Sequence, residues 1–438
     1  MKNKKNTKNT NNIIKNTKNI IKNKNNIMKN IINIPLSVLI FIIILHIIIY
    51  FKYGTSIFLN YNTNLTLLVW VFVIYLSWYT KNNYLLLIPI LLLCINELLY
   101  ITINTDIFYG QARTELFYDV TTTYFIKEID YNTNLTDALY IKNNNINEIM
   151  TLDEARNLDP RVANDSRYVK LLYDLNIDKH QYNNIKILDM GCGNGDFMRF
   201  CKKNGISVSG LTISTEQLKE LKKEGLDVHL GSYRDLQKQL IGNYDIVTFW
   251  GTLEHITDGC PGSKKIERKA KRILGEMMSH IKQYYKGDSE YKYLILDDLH
   301  INRKYAKSLD AYIIERTYGG WYFYDEPGET LGDLIKKDGF EELYVYDITY
   351  HYYLATIVDK KHFGNPRNTD LYSIFLFICG FFVNPQLSAM ILYGLRGGWM
   401  WQFDGKTHSD DTCSDCNFEY DRSNRPTTLL WSVSKFVN

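Results

Sequence analysis

"ILDMGCGNGDF" occupies Ile187–Phe197. An apolar run ends in three glycines at alternate positions, Gly191, Gly193 and Gly195, just beyond Asp189. Glycine leaves the backbone bare, so a ligand can approach it closely while the N–H groups of a following helix point at that ligand. The dinucleotide fingerprint requires G-x-G-x-x-G. The spacing here is G-C-G-N-G, a different turn.

Outward from this turn the chain alternates between two periodicities. "NIKILDM" (184–190) reads as a strand and "DFMRFCKKNG" as a helix with a glycine stop. "ISVSGLTI" is a second strand, "TEQLKELKKEG" a second helix and "LDVHLG" a third strand. "YDIVTFWG" (244–251) and "KYLILDDL" (292–299) follow as fourth and fifth strands, and "TTLLWSVSKF" (427–436) alternates like a terminal one. Strands alternating with helices imply an α/β fold with a parallel sheet covered on both faces.

The stretches "LDMGCGNGDF", "GLTISTEQ" (210–217), "YRDL" (233–236) and "GTLEH" (251–255) together resemble the cyclopropane-fatty-acid synthase family of S-adenosylmethionine-dependent methyltransferases. Weaker matches follow in the family's order: "FYDVTTTYF" (117–125), "TLDEAR" (151–156), "DGFE" (338–341) and "HYYLAT" (351–356). The resemblance spans about residues 112–360. It implies a Rossmann-like methyltransferase fold with a mostly parallel seven-stranded sheet, and S-adenosylmethionine as cofactor. It also implies that Gly191, Gly193, Gly195, Thr212, Gln217 and Tyr233 line the cofactor site, with Asp189 anchoring the turn and Tyr233 covering the adenine face. "FWGTLEHI" (249–256) lacks the Asn/Asp-Pro-Pro-aromatic signature, so methylation of a nucleic-acid base amine is disfavoured.

In that family a lipid double bond attacks the sulfonium methyl, and a bound bicarbonate takes the proton. The matches place Glu254, Tyr352 and the backbone of Gly251 around that anion. Two positions depart from the family: its cysteine falls at Ala138 and its fifth-strand histidine at Asp297. A second carboxylate beside Glu254 would repel a bicarbonate. Either Asp297 replaces the anion as the base itself, sharing one raised pKa with Glu254, or the protein no longer makes cyclopropanes. His255 and His300 are expected to be structural.

The chain has 438 residues, with 51 basic and 48 acidic side chains. Nine lysines and no acid fall in residues 1–30, an Asn/Lys-rich tail expected to be disordered. The remainder is mildly acidic, which argues against a nucleic-acid partner. "IPLSVLIFIIILHIIIYF" (34–51), "LTLLVWVFVIYLSWY" (65–79) and "YLLLIPILLLCINELLYITI" (84–103) are strongly apolar. A membrane span needs roughly 20 such residues, so residues 31–104 are expected to hold two or three transmembrane helices. Residues 112–180 are then a helical lid and 181–438 the catalytic domain. A second apolar stretch, 371–395, is broken by Asn384-Pro385 and reads as a hairpin at the bilayer surface or along an acyl tunnel. The lysine tail argues for a cytosolic N-terminus, and two crossings then leave the catalytic domain facing the cytosol. The seven cysteines form no framework, and Cys413-x-x-Cys416 is only half a zinc site, so no metal is expected.

These features point to a membrane-anchored methyltransferase acting on an unsaturated lipid chain, similar in plan to the sphingolipid C-methyltransferases. Methylation of a small-molecule amine is the alternative within the family. A non-catalytic membrane protein with a degenerate cofactor fold is the alternative outside it.

Overall fold

The computed structural model describes residues 138–256, 264–306, 323–363 and 425–437, with Thr114, Glu115, Phe117–Asp119, Thr122, Ala311, Gln402 and Phe403. The chain divides into two compact units, Met1–Ile101 and Thr102–Asn438. The basic tail, the expected membrane region 31–104, the apolar stretch 371–395 and the Cys413/Cys416 pair lie outside the described residues. Among the described residues no helix is long and apolar enough to cross a membrane.

A seven-stranded sheet organises the second unit. Its strands are β3 (Lys186–Met190), β4 (Ser207–Thr212), β5 (Val228–Leu230), β6 (Ile246–Trp250), β7 (Tyr293–Ile301), β8 (Phe340–Asp347) and β9 (Thr427–Phe436). Their spatial order is β5-β4-β3-β6-β7-β9-β8. Only β9 runs against its neighbours, pairing antiparallel with both β7 and β8. This is the Rossmann-like, mostly parallel sheet expected from the sequence. The chain leaves β3 towards β4 and β5 on one side and returns to β6 on the other. The carboxyl ends of β3 and β6 therefore open a crevice, the place where such sheets bind ligands.

The central strands are buried along almost their whole length, in keeping with a sheet covered on both faces. Helix α2 (Pro160–Asp174) presents Ala163, Arg167, Tyr168, Leu171 and Leu172 to the sheet. Its start is set by Asp159, which accepts from the Arg161 N–H, and by Pro160 in the first turn. Helices α3 (Asp196–Lys203) and α4 (Thr215–Lys223) flank the glycine turn. A small second core of Cys192, Met198, Leu221, Leu226 and Val228 joins them to β5. Helix α5 (Lys264–Tyr284) precedes β7, α6 (Leu331–Lys336) precedes β8, and α7 (Thr349–Phe363) precedes the return to β9.

The stretch expected to be a helical lid also holds two strands. Before α1 (Leu152–Asn157) it forms a two-stranded hairpin, β1 (Ile141–Lys142) and β2 (Asn145–Ile149). Asn143 and Asn144 both take positive φ, 54° and 56°. This is the backbone a two-residue hairpin turn requires, and asparagine tolerates it.

Candidate cofactor crevice and active site

The three glycines of the turn differ in what surrounds them. All have positive φ, 80° at Gly191, 52° at Gly193 and 84° at Gly195. A Cβ on Gly191 would meet the Thr252 side chain at 2.3 Å, and one on Gly195 would meet Leu221 at 2.4 Å. A Cβ on Gly193 would meet nothing nearer than the Gly191 carbonyl, 4.0 Å away. Gly191 and Gly195 are thus bare because protein packs against them. Gly193 is bare towards open space, as a ligand cradle requires.

Asp189 is buried and accepts from the Thr248 hydroxyl at 3.0 Å, which ties β3 to β6 beneath the turn. At the end of β4, the Thr212 hydroxyl donates to Gln217 Oε1 at 2.6 Å and accepts from the Ser214 N–H at 3.1 Å. Ser214 caps α4 by accepting from the Gln217 N–H. Thr212 and Gln217 are thereby fixed against each other. Tyr233 is buried edge-on against Phe249, and its hydroxyl donates to the Thr252 carbonyl at 3.3 Å.

Glu254 and His255 lie in a short turn after β6, both buried. Tyr118 reaches this turn from far upstream, its hydroxyl 2.5 Å from His255 Nε2. Burial first, then the Glu254 carboxylate and the Tyr233 phenol, push the Tyr118 phenol well above its ordinary value. The phenol therefore stays protonated beside the imidazole. A carboxylate, an imidazole and two phenols thus gather at the mouth of the crevice. Tyr352 lies on α7, buried and edge-on to Phe403.

Asp297 does not stand as the open base expected from the sequence. Its carboxylate accepts from the Arg167 guanidinium, with both side chains buried. Arg167 lies over the Trp250 ring at 4.2 Å. A carboxylate already matched by a cation and sealed in the core is not placed to collect a substrate proton. The Gly251 N–H, expected to help hold an anion, instead donates to the Asp297 carbonyl at 2.9 Å. Ala138 is buried and brings no polar side chain.

Residues 162–345 match a family described as a methyltransferase domain. The chain is an S-adenosylmethionine-dependent methyltransferase. A cyclopropane synthase from Mycobacterium tuberculosis is 15% identical, covering 76% of this chain and 100% of its own, with a TM-score of 0.45. A mycolic acid cyclopropane synthase solved with S-adenosylhomocysteine is 14% identical, covering 74% and 98%, with a TM-score of 0.42. A [4+2]-cyclase is 13% identical, covering 74% and 96%, at 0.41. No curated protein matches the chain.

The methyltransferase's own residues fit its cofactor. Gly193 leaves the cradle open, and the Thr212–Gln217 pair ends the strand beside it. When bound, S-adenosylmethionine supplies an electrophilic methyl group. Several residues of this site carry weak sequence signals. Thr252, which closes on Gly191, has none. Arg167 has one: it lies four residues from both Ala163 and Leu171 on the apolar face of α2, where a charge demands a partner. His351 is buried, with Nδ1 accepting from the Tyr140 N–H at 3.1 Å. His300 Nε2 accepts from the Leu331 N–H at 3.0 Å.

Proposed function

We propose that this methyltransferase acts on an unsaturated lipid acyl or sphingoid chain, by cyclopropanation or C-methylation. In this reading it is anchored in the membrane that holds the lipid, with its catalytic domain facing the cytosol. The observation that carries the reading is the setting of Glu254, a buried carboxylate in the turn after β6, close enough to Tyr118 to act on its phenol. Methylation of a neutral double bond leaves a carbocation that must shed a proton. One anionic side chain among aromatic rings suits that need: it stabilises the cation and accepts the proton. The apolar segments in residues 31–104 support a membrane-held substrate independently, since the first and third are near the length of a span.

The bicarbonate implied by the family resemblance lacks support from Ala138, Asp297 and the Gly251 N–H, so Glu254 itself is the proposed proton acceptor. A second reading rests on the same carboxylate: Glu254 among tyrosines would also hold the ammonium of a small amine. Cells expressing the chain, fed methyl-labelled methionine, separate the two. Label in a lipid chain, read by mass spectrometry, is expected. Label confined to water-soluble amines would overturn the lipid reading.

A further inference from the structure

Phe117–Asp119 lies far upstream of the glycine turn in sequence, yet it reaches both loops that border the crevice. Tyr118 bonds His255 in the turn after β6. Asp119 reaches the loop after β4: its Oδ1 accepts from the Ser214 hydroxyl at 2.5 Å and from the Glu216 N–H at 3.3 Å. Its Oδ2 accepts from the Thr215 hydroxyl at 3.2 Å.

A serine hydroxyl has a single proton. Asp119 takes the one on Ser214, so the Ser214 oxygen can only accept from the Gln217 N–H, which it does at 3.2 Å. Gln217 in turn accepts from Thr212 at 2.6 Å. One directed chain of hydrogen bonds therefore runs from Asp119 through Ser214 and Gln217 to Thr212 at the strand end. Here the carboxylate arrives from another segment and spends its oxygens on the loop. Its neighbour Tyr118 pins the same segment to the opposite border of the crevice.

We infer that Asp119 is a cofactor-positioning residue, which fixes the Thr212–Gln217 pair in its binding geometry by orienting Ser214. Tyr118 is the second anchor of that segment. The inference rests on S-adenosylmethionine lying against Gly193 and Thr212. Binding of S-adenosylhomocysteine by the unaltered full-length protein, and its loss in Gly193→Ala, test that premise separately.

The decisive experiment is calorimetric titration of full-length protein with S-adenosylhomocysteine, alongside steady-state kinetics and thermal melting. Asp119→Ala should raise Kd about tenfold or more, as loss of hydrogen bonds to a charged group does. Its kcat at saturating cofactor should stay within about threefold. Asp119→Asn keeps an acceptor for Ser214 and should raise Kd less. In a Ser214→Ala background, Asp119→Ala should add little, because its route to Gln217 is already cut. An unchanged Kd in folded Asp119→Ala would overturn the inference, and so would a fall in kcat at constant Kd or full additivity with Ser214→Ala. If Asp119→Ala does not fold, the Kd of Asp119→Asn and of Ser214→Ala decides in the same way.

Discussion

The Arg167 guanidinium donates to the Asp297 carboxylate where α2 crosses β7, and both side chains are sealed from solvent. The Trp250 and Trp431 rings pack near the guanidinium, 4.2 Å and 5.9 Å from it. The pair ties α2 to β7. Its consequence is a clear prediction about stability. Asp297→Asn leaves a buried cation without its anion, which costs about 3–5 kcal/mol. Chemical denaturation should show that loss, while protein kept folded at low temperature still turns over. Replacing both partners, as Arg167→Met with Asp297→Leu, should recover much of the stability. A fully stable but inactive Asp297→Asn protein would restore Asp297 as the base.

The glycine turn separates binding from folding. Gly193→Ala meets open space and only a modest penalty at φ 52°, about 1–2 kcal/mol for a left-handed residue. It should melt close to the unaltered protein yet bind S-adenosylhomocysteine more than tenfold less tightly. Gly195→Ala drives a methyl into Leu221 and should lose stability first, with cofactor affinity falling only as the fold fails. Equal effects of the two changes on affinity, at equal stability, would contradict this division.

These positions mark how far the sequence could be read. The strands β3 and β6 are largely apolar runs ending at punctuated turns, and β9 coincides with the alternating stretch 427–436. Local pattern suffices for such elements. The hairpin of β1 and β2 escapes because its asparagine turn stands in a chain rich in asparagine, where that signal carries little weight. The three glycines look alike in sequence, and only Thr252 and Leu221 distinguish their roles. The pairing of Asp297 is hidden for the same reason. Its partner lies 130 residues away on a helix, and an ion pair of that separation has no local signature.

Buried His351 gives the fold an acid limb. Burial lowers its pKa from 6.5 to about 4, nearby Arg167 adding to the effect and Asp347 opposing it. Above pH 6.5 the ring is neutral in both folded and unfolded chains, and its contribution is constant. As pH falls from 6.5 towards 4, only the unfolded chain gains the proton, so stability is lost across that window, by up to ~3 kcal/mol. Denaturation midpoints at pH 7.5 and pH 5 should therefore differ. His351→Gln, which can still accept from the Tyr140 N–H, should flatten the difference. An acid limb of unchanged depth in that variant would assign the effect to other groups.

Glu254 carries the sharpest test of the chemistry. Asp297 is bound to Arg167, whereas Glu254 lies in the turn after β6 with His255 and acts on the Tyr118 phenol. Glu254→Gln preserves size and removes the proton acceptor, and loss of a general base typically costs on the order of 10²–10⁴ in rate. S-adenosylhomocysteine affinity should change little, because Gly193, Thr212 and Gln217 are untouched. Turnover should also be indifferent to added bicarbonate. Asp297 is paired, Ala138 offers no polar group, and the Gly251 N–H is already spent on a carbonyl. Rate measurements in bicarbonate-depleted and supplemented buffer check this directly. A rate that rises with bicarbonate, in a protein that tolerates Glu254→Gln, would mean that an anion rather than Glu254 collects the proton.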